Sequence, residues 1–176
     1  MDEEMIRRWN EVVREQDKVY HLGDVVMSEK HLPTLARLNG SKRLVRGNHD
    51  IFKTKKYLEY FKEIYGVRVL EDMVLTHVPL HHESITQRWN VNVHGHLHAN
   101  IVEELRQPDG LPEFKHLSLI ERVHMEPVRR PDPLYFSVCV EQIDYRPIEL
   151  SELRAKIQNR REEYGEPHHG EYVHVR

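Results

Sequence analysis

Four short polar clusters in this chain carry residue types that bind metal ions. In chain order they are Gly23-Asp24, Gly47-Asn48-His49-Asp50, Thr76-His77 and His94-Gly95-His96-Leu97-His98. Asp, Asn and His offer mixed oxygen and nitrogen donors, with no thiolate among them. That set suits Mn, Fe, Ni or Zn in an open catalytic site, whereas a closed structural zinc site draws on cysteines. Each cluster alone also has a plain structural reading. Gly23-Asp24 is a turn. Asn48 or Asp50 could cap a helix. An isolated histidine such as His77 sits as readily in a core or on a surface. Three histidines within residues 94–98 lack a packing rationale, so metal binding weighs evenly against it there. The ordered set of four is far more specific than any member.

Each cluster follows directly on a β-prone run, at 18–22, 42–46, 73–76 and 89–94. In open α/β sheets ligands bind beyond the carboxyl ends of the strands, so four clusters placed there can converge on one site. Gly23, Gly47 and Gly95 let the backbone turn sharply where a side chain must be aimed. The rest of the chain supplies the frame. Met5, Ile6, Trp9, Val12 and Val13 recur at helical spacing over 2–15. Ser28 could cap a helix with Leu32, Leu35 and Leu38 on its apolar face, stopped at Asn39-Gly40. The spacing of Leu58, Phe61, Ile64 and Tyr65 predicts a helix over 54–65. Further strands are expected at 67–70 and 134–140. Residues 107–133 hold five prolines and the turn signal Asp109-Gly110; they read as a long surface excursion with one short apolar element at 117–120. A polar helix is expected at 151–164, followed by a polar tail, 165–176, whose His168, His169 and His174 belong to no cluster. Strands alternating with helices in the first half predict an α/β fold with a partly parallel sheet.

YHLGDVV, VRGNHD, THVPL and VHGHLHAN, in that order, resemble the calcineurin-like metallophosphoesterases, more narrowly their small bacterial and phage members. The resemblance runs from the first helix to DYRPIEL at 144–150. It implies a four-layer sandwich of two β-sheets flanked by helices, with one metallophosphoesterase domain over 1–164 and a tail over 165–176. It also implies a two-metal site and hydrolysis of a phosphomonoester or phosphodiester by a metal-activated water. Matched by motif, Asp24 would bridge the two metals. Asn48, His77 and His96 would complete one shell, and His98 would serve the other. His49 would protonate the leaving group, with Asp50 orienting it. Arg46 could touch the phosphate or simply lie on the surface. Manganese is the expected metal, with Fe, Ni or Zn open.

The family's first motif, Asp-x-His at the end of an opening strand, is absent, because no aspartate here has a histidine two residues on. The metal served by Asn48, His77 and His96 keeps its full set, whereas the other keeps Asp24 and His98. One tightly held metal, rather than two, is therefore expected for the chain as written. A piece of a longer chain, a variant with substitute ligands (His21, His81 and His82 lie near enough in sequence) and an impaired or inactive metal-binding relative are the open origins. The first is favoured, because every downstream motif is intact.

Composition narrows the field further. In 176 residues, 39% are hydrophobic and 31% charged, enough for one core and too apolar for a disordered chain. No apolar run approaches a membrane span. MDEEMIRRWN shows no secretory pattern. The single cysteine, Cys139, excludes an internal disulfide framework, and a cytoplasmic setting is expected. A net charge of −3 does not indicate a nucleic-acid surface and does not exclude one.

Overall fold

The computed structural model describes residues 2–86, 88–108 and 114–166. Helix α1 (Asp2–Val12) leads to strand β1 (Lys18–His21), then a 3₁₀ helix (Glu29–Arg37) and strand β2 (Ser41–Val45). A single helical turn, α2 (Thr54–Tyr57), precedes β3 (Glu63–Tyr65), and β1, β2 and β3 form one parallel sheet in that order. The second sheet has the order β4 (Arg68–Leu70), β5 (Met73–Thr76), β6 (Val91–His94), β9 (Tyr135–Ser137). Its β4 runs antiparallel to β5, and the other pairs are parallel. Between β6 and β9 lie an antiparallel ribbon of β7 (Glu103–Arg106) and β8 (Val128–Pro131), and the short helix α3 (Leu119–Val123). Helix α4 (Leu150–Tyr164) closes the fold. The architecture is thus α/β, with more than one sheet flanked by helices, as the sequence predicts. Among the described residues no helix is long and apolar enough to cross a membrane.

Alternation along the strands divides the apolar residues between layers. Val45 joins Leu22, Met73, Leu75, Val91, Val93 and Phe136 in a core shared by both sheets, to which α4 adds Leu153 and Ile157. Its neighbour Leu44 faces the other way, into a cluster with Leu32, Leu35, Tyr57 and Phe61. β2, β5 and β6 are paired on both sides and β1 on one, and the polar clusters begin at the carboxyl ends of these four strands.

Three elements differ from expectation. The helix predicted over 54–65 is one turn followed by a strand. Ile64 pairs with Leu44 and Tyr65 with Val45 on β2, and Leu58, expected on the buried face, is 52% exposed. Ladder pairing with β2 outweighs a weak helical period in residues that also favour strands. The segment after Ser28 is a 3₁₀ helix in which Ser28 makes no side-chain cap, and Pro33 inside it lacks an amide donor. The excursion at 107–133 contains strand β8 and the helix α3, which begins in a Ser118–Glu121 capping box. Asp109-Gly110 and the histidines of the tail lie outside the described residues.

The ribbon and the end of α4 are joined by hydrogen bonds. Arg130 Nη1 donates to the Tyr164 carbonyl at 3.0 Å, Arg106 Nη2 to the Glu166 carbonyl at 2.9 Å, and Arg160 Nη1 to the Tyr135 carbonyl at 3.0 Å. The first two satisfy carbonyls at and just beyond the end of α4, and the third ties α4 to β9.

Leu44 is fully buried, so Leu44→Ala should destabilise the protein by about 2–5 kcal/mol. Ile51→Ser, at a 75% exposed position, should stay within about 0.5 kcal/mol of the parent. Urea unfolding of both variants checks the pair.

Candidate metal centre

The turns after β1, β2, β5 and β6 meet at one end of the two sheets. Their close approach depends on glycine. A Cβ on Gly47 would stand 2.2 Å from Asp24 Oδ1, and one on Gly23 would stand 2.5 Å from His77 Nδ1. Gly23 also has φ +93°, and Asp24, His96 and His98 are themselves left-handed, with φ of 54°, 68° and 54°. Non-glycine residues held in this region cost on the order of 1–3 kcal/mol each and cluster at functional sites.

Asp50 ties two of the turns together. Its buried carboxylate accepts the backbone N–H of Asp24 at 2.8 Å and Gly47 at 2.8 Å through Oδ2, and that of Val25 at 3.0 Å through Oδ1. Asp24 returns the link, its Oδ1 accepting the His49 N–H at 2.8 Å. Asp50, expected to orient the His49 ring, instead spends its oxygens on backbone amides, and it bears on His49 only through the loop it braces. Arg46, open between a phosphate contact and a surface position, is engaged by the neighbouring loop. Its guanidinium donates to the carbonyls of Asp50 and Phe52, both at 2.7 Å, and to the Thr54 hydroxyl at 3.2 Å.

His77 stands at the centre and is buried. Its Nδ1 lies 2.6 Å from the Leu22 carbonyl. A carbonyl only accepts, so Nδ1 carries the hydrogen, and Nε2 is the nitrogen free to present a lone pair to a metal. That lone pair faces Asn48 Oδ1 at 2.8 Å, Asp24 Oδ2 at 3.1 Å and His96 Nδ1 at 3.2 Å. Electron pairs converging in this way repel one another unless positive charge lies among them. Exchanging the ends of the Asn48 amide relieves one contact and leaves the carboxylate facing the ring. A proton on Nε2 would serve one neighbour well, whereas a divalent cation serves them all. The spacing also fits, since donors about 2.1 Å from one ion and at right angles lie about 3 Å apart. Asp24, His77 and His96 place their ligand atoms within 4.8 Å of one another, and Asn48 adds a fourth. The donor set therefore fits a divalent metal, with a histidine oriented by a backbone carbonyl as metal-binding histidines are.

His49 and His98 stand apart from this group. His49 is exposed at the rim. His98 is exposed and turned outward, with Nδ1 3.0 Å from Glu141 Oε1; the Gln142 side chain holds the Ala99 carbonyl at 2.9 Å. Neither His81 nor His82 is among the residues brought together. His21 stacks on Trp9 at 6.4 Å with its Nδ1 buried and unpaired. Burial pushes its pKa down, opposed by the nearby charges of Asp50 and Asp24. Burial does the same to His94, opposed by its bond to the Gly95 carbonyl.

Sequence reasoning passed over Asn92. This fully buried side chain donates to the Val74 carbonyl at 3.0 Å and the Thr76 hydroxyl at 2.9 Å, and accepts the Leu80 N–H at 2.9 Å. It fixes the turn that aims His77. The available signal was one amide between valines in a buried run.

Comparison with known proteins yields three findings. A family model for the calcineurin-like phosphoesterase superfamily domain matches residues 2–111. An uncharacterized protein of Methanocaldococcus jannaschii is 30% identical over 157 residues, which span 85% of this chain and 71% of that one. The crystal structure of a protein of unknown function from Aquifex aeolicus aligns with a TM-score of 0.57 at 23% identity, covering 88% of this chain and 84% of that one. At that identity it speaks for the fold alone.

Gly47→Ala should keep the fold and weaken Mn binding by about 10–100-fold, as disturbance of ligand-supporting groups does, read by calorimetric titration. Asp50→Asn sets an amide donor against backbone donors and should cost about 3 kcal/mol of stability, read by urea unfolding.

Proposed function

The chain belongs to the calcineurin-like phosphoesterase superfamily, and on that premise we propose that it is a metal-dependent phosphoesterase hydrolysing a phosphomonoester or phosphodiester. The observation that carries this reading is the convergence of Asp24 Oδ2, Asn48 Oδ1 and His96 Nδ1 on Nε2 of His77. Asp24, Asn48, His77 and His96 would hold one divalent ion, with Mn our choice and Fe, Ni or Zn compatible with the same donors. His98, with Asp24 as the bridge, would serve a second. Such ions stabilise charge on phosphoryl oxygens and lower the pKa of a bound water.

The chain's own residues supply the remainder. His49 is fixed at its backbone by Asp24 and exposes its ring, so it can protonate a departing alkoxide near neutral pH. Asp50 keeps the Gly23 and Gly47 turns in register and supports catalysis from behind the ligands. We take residues 1–164 as the catalytic domain and 165–176 as a tail. We place the protein in the cytoplasm, in keeping with its single, free Cys139.

One observation favours a second reading, a metal-binding relative with impaired or absent hydrolysis. His98 is engaged by Glu141 and does not join the ligand group.

Three measurements test the site, and the second of them separates the two readings. Elemental analysis after dialysis with Mn should find one tightly held metal per chain, and two would mean that substitute ligands exist. Mn-dependent hydrolysis of an aryl phosphodiester supports the enzyme, and its absence with metal bound supports the second reading. His49→Ala should lower kcat by roughly 10²–10⁴-fold while metal is retained, whereas Asp24→Ala should lose metal first.

A further inference from the structure

Beside the ligand group opens a cleft of about 350 Å³, toward the small end of the roughly 300–1,000 Å³ of small-ligand sites. Asn48 and His77 belong both to the cleft and to the ligand group. The apolar lining is Val67, from the link between β3 and β4, and Val78 and Leu80, from the turn after β5. Val67 and Val78 are 49% and 47% exposed, so each presents apolar surface to whatever enters.

The polar side chains of this wall are already engaged. Arg46 lines the cleft, but its guanidinium is spent on the 50–54 loop and lies over the Tyr57 ring at 5.6 Å. The Thr76 hydroxyl donates to the Val78 carbonyl at 2.7 Å and accepts from Asn92. An uncharged ring would shed water at a gain.

Gly66 sharpens the argument. It lines the cleft, its φ is not left-handed, and a Cβ there would meet no atom within 4 Å. Neither backbone conformation nor close packing requires glycine at this position, unlike Gly23 and Gly47. Its effect is to leave the cleft open.

We infer that this cleft is the specificity pocket of the site. It takes the organic group of the phosphate ester, an uncharged and ring-sized apolar moiety, while the phosphate lies against Asn48 and His77. The inference rests on the phosphoesterase reading above and deepens it.

The test is calorimetric binding of two unreactive probes, phenylphosphonate and methylphosphonate, to the Mn-loaded protein. Both should bind, with the phenyl compound about tenfold or more tighter, a gap of about 1.4 kcal/mol. Gly66→Phe, which fills the cleft, and Val67→Asp, which charges its wall, should each remove the phenyl preference. In Gly66→Phe methylphosphonate affinity should stay within about twofold, because contacts at the phosphonate end are untouched, whereas in Val67→Asp the added negative charge lowers both affinities together. Gly66→Ala should bind both probes as the parent does. Thermal unfolding of each variant identifies any that fails to fold, and Val67→Asp, at a half-exposed position, keeps the test decisive if Gly66→Phe does. Equal affinities for the two probes, or a phenyl preference untouched by a folded variant, would overturn the pocket assignment and leave the phosphoesterase reading standing. Binding of neither probe to the metal-loaded parent would overturn both.

Discussion

A carboxylate buried against three backbone amides is the constraint on which this site depends. Asp50 accepts from Asp24, Val25 and Gly47, so the turn after β1 and the turn after β2 cannot move apart without exposing a charge to unpaired donors. Hydrogen bonds to a charged acceptor are among the stronger ones, and an unpaired buried partner is costly. With the two turns locked, Asp24 must adopt a left-handed backbone. The glycines then have to be glycine, because the chains pass too near for any side chain.

The same end of the fold is built from two sheets. β1 and β2 bring Asp24 and Asn48 from one, and β5 and β6 bring His77 and His96 from the other. The shared core of Leu22, Val45, Leu75 and Val93 holds these strands together. The short contact from His77 Nδ1 to the Leu22 carbonyl crosses between them and sets which ring nitrogen faces the other ligands. The orientation of the ring is therefore fixed by a single hydrogen bond between layers.

Much of this could be read along the chain. The strands that precede the polar clusters are short apolar runs ending in glycine turns, a strong local pattern. The order of the clusters then carried the family and the ligand candidates. What stayed hidden involves partners with no sequence identity of their own. The role of Asp50 is invisible because its partners are backbone amides, and the Glu141 contact to His98 joins residues 43 apart. β3 was misread because Leu58, Phe61 and Ile64 fit a helical period locally, and only pairing with β2, about twenty residues upstream, decides otherwise. In β8 the run Val128-Arg129-Arg130-Pro131 has no alternation to announce a strand.

The arginines that join the β7–β8 ribbon to the end of α4 have a consequence for how the molecule breathes. A ribbon of two short strands on the surface would ordinarily open often, and its amides would exchange with solvent nearly independently of the core. Here Arg130 and Arg106 reach from the ribbon to carbonyls at and just beyond the last turn of α4, and that helix is anchored by Leu153 and Ile157. Ribbon and helix end thus form one cooperative unit. Fluctuations that release one must release the other, so the excursion is tethered to the core along its ribbon.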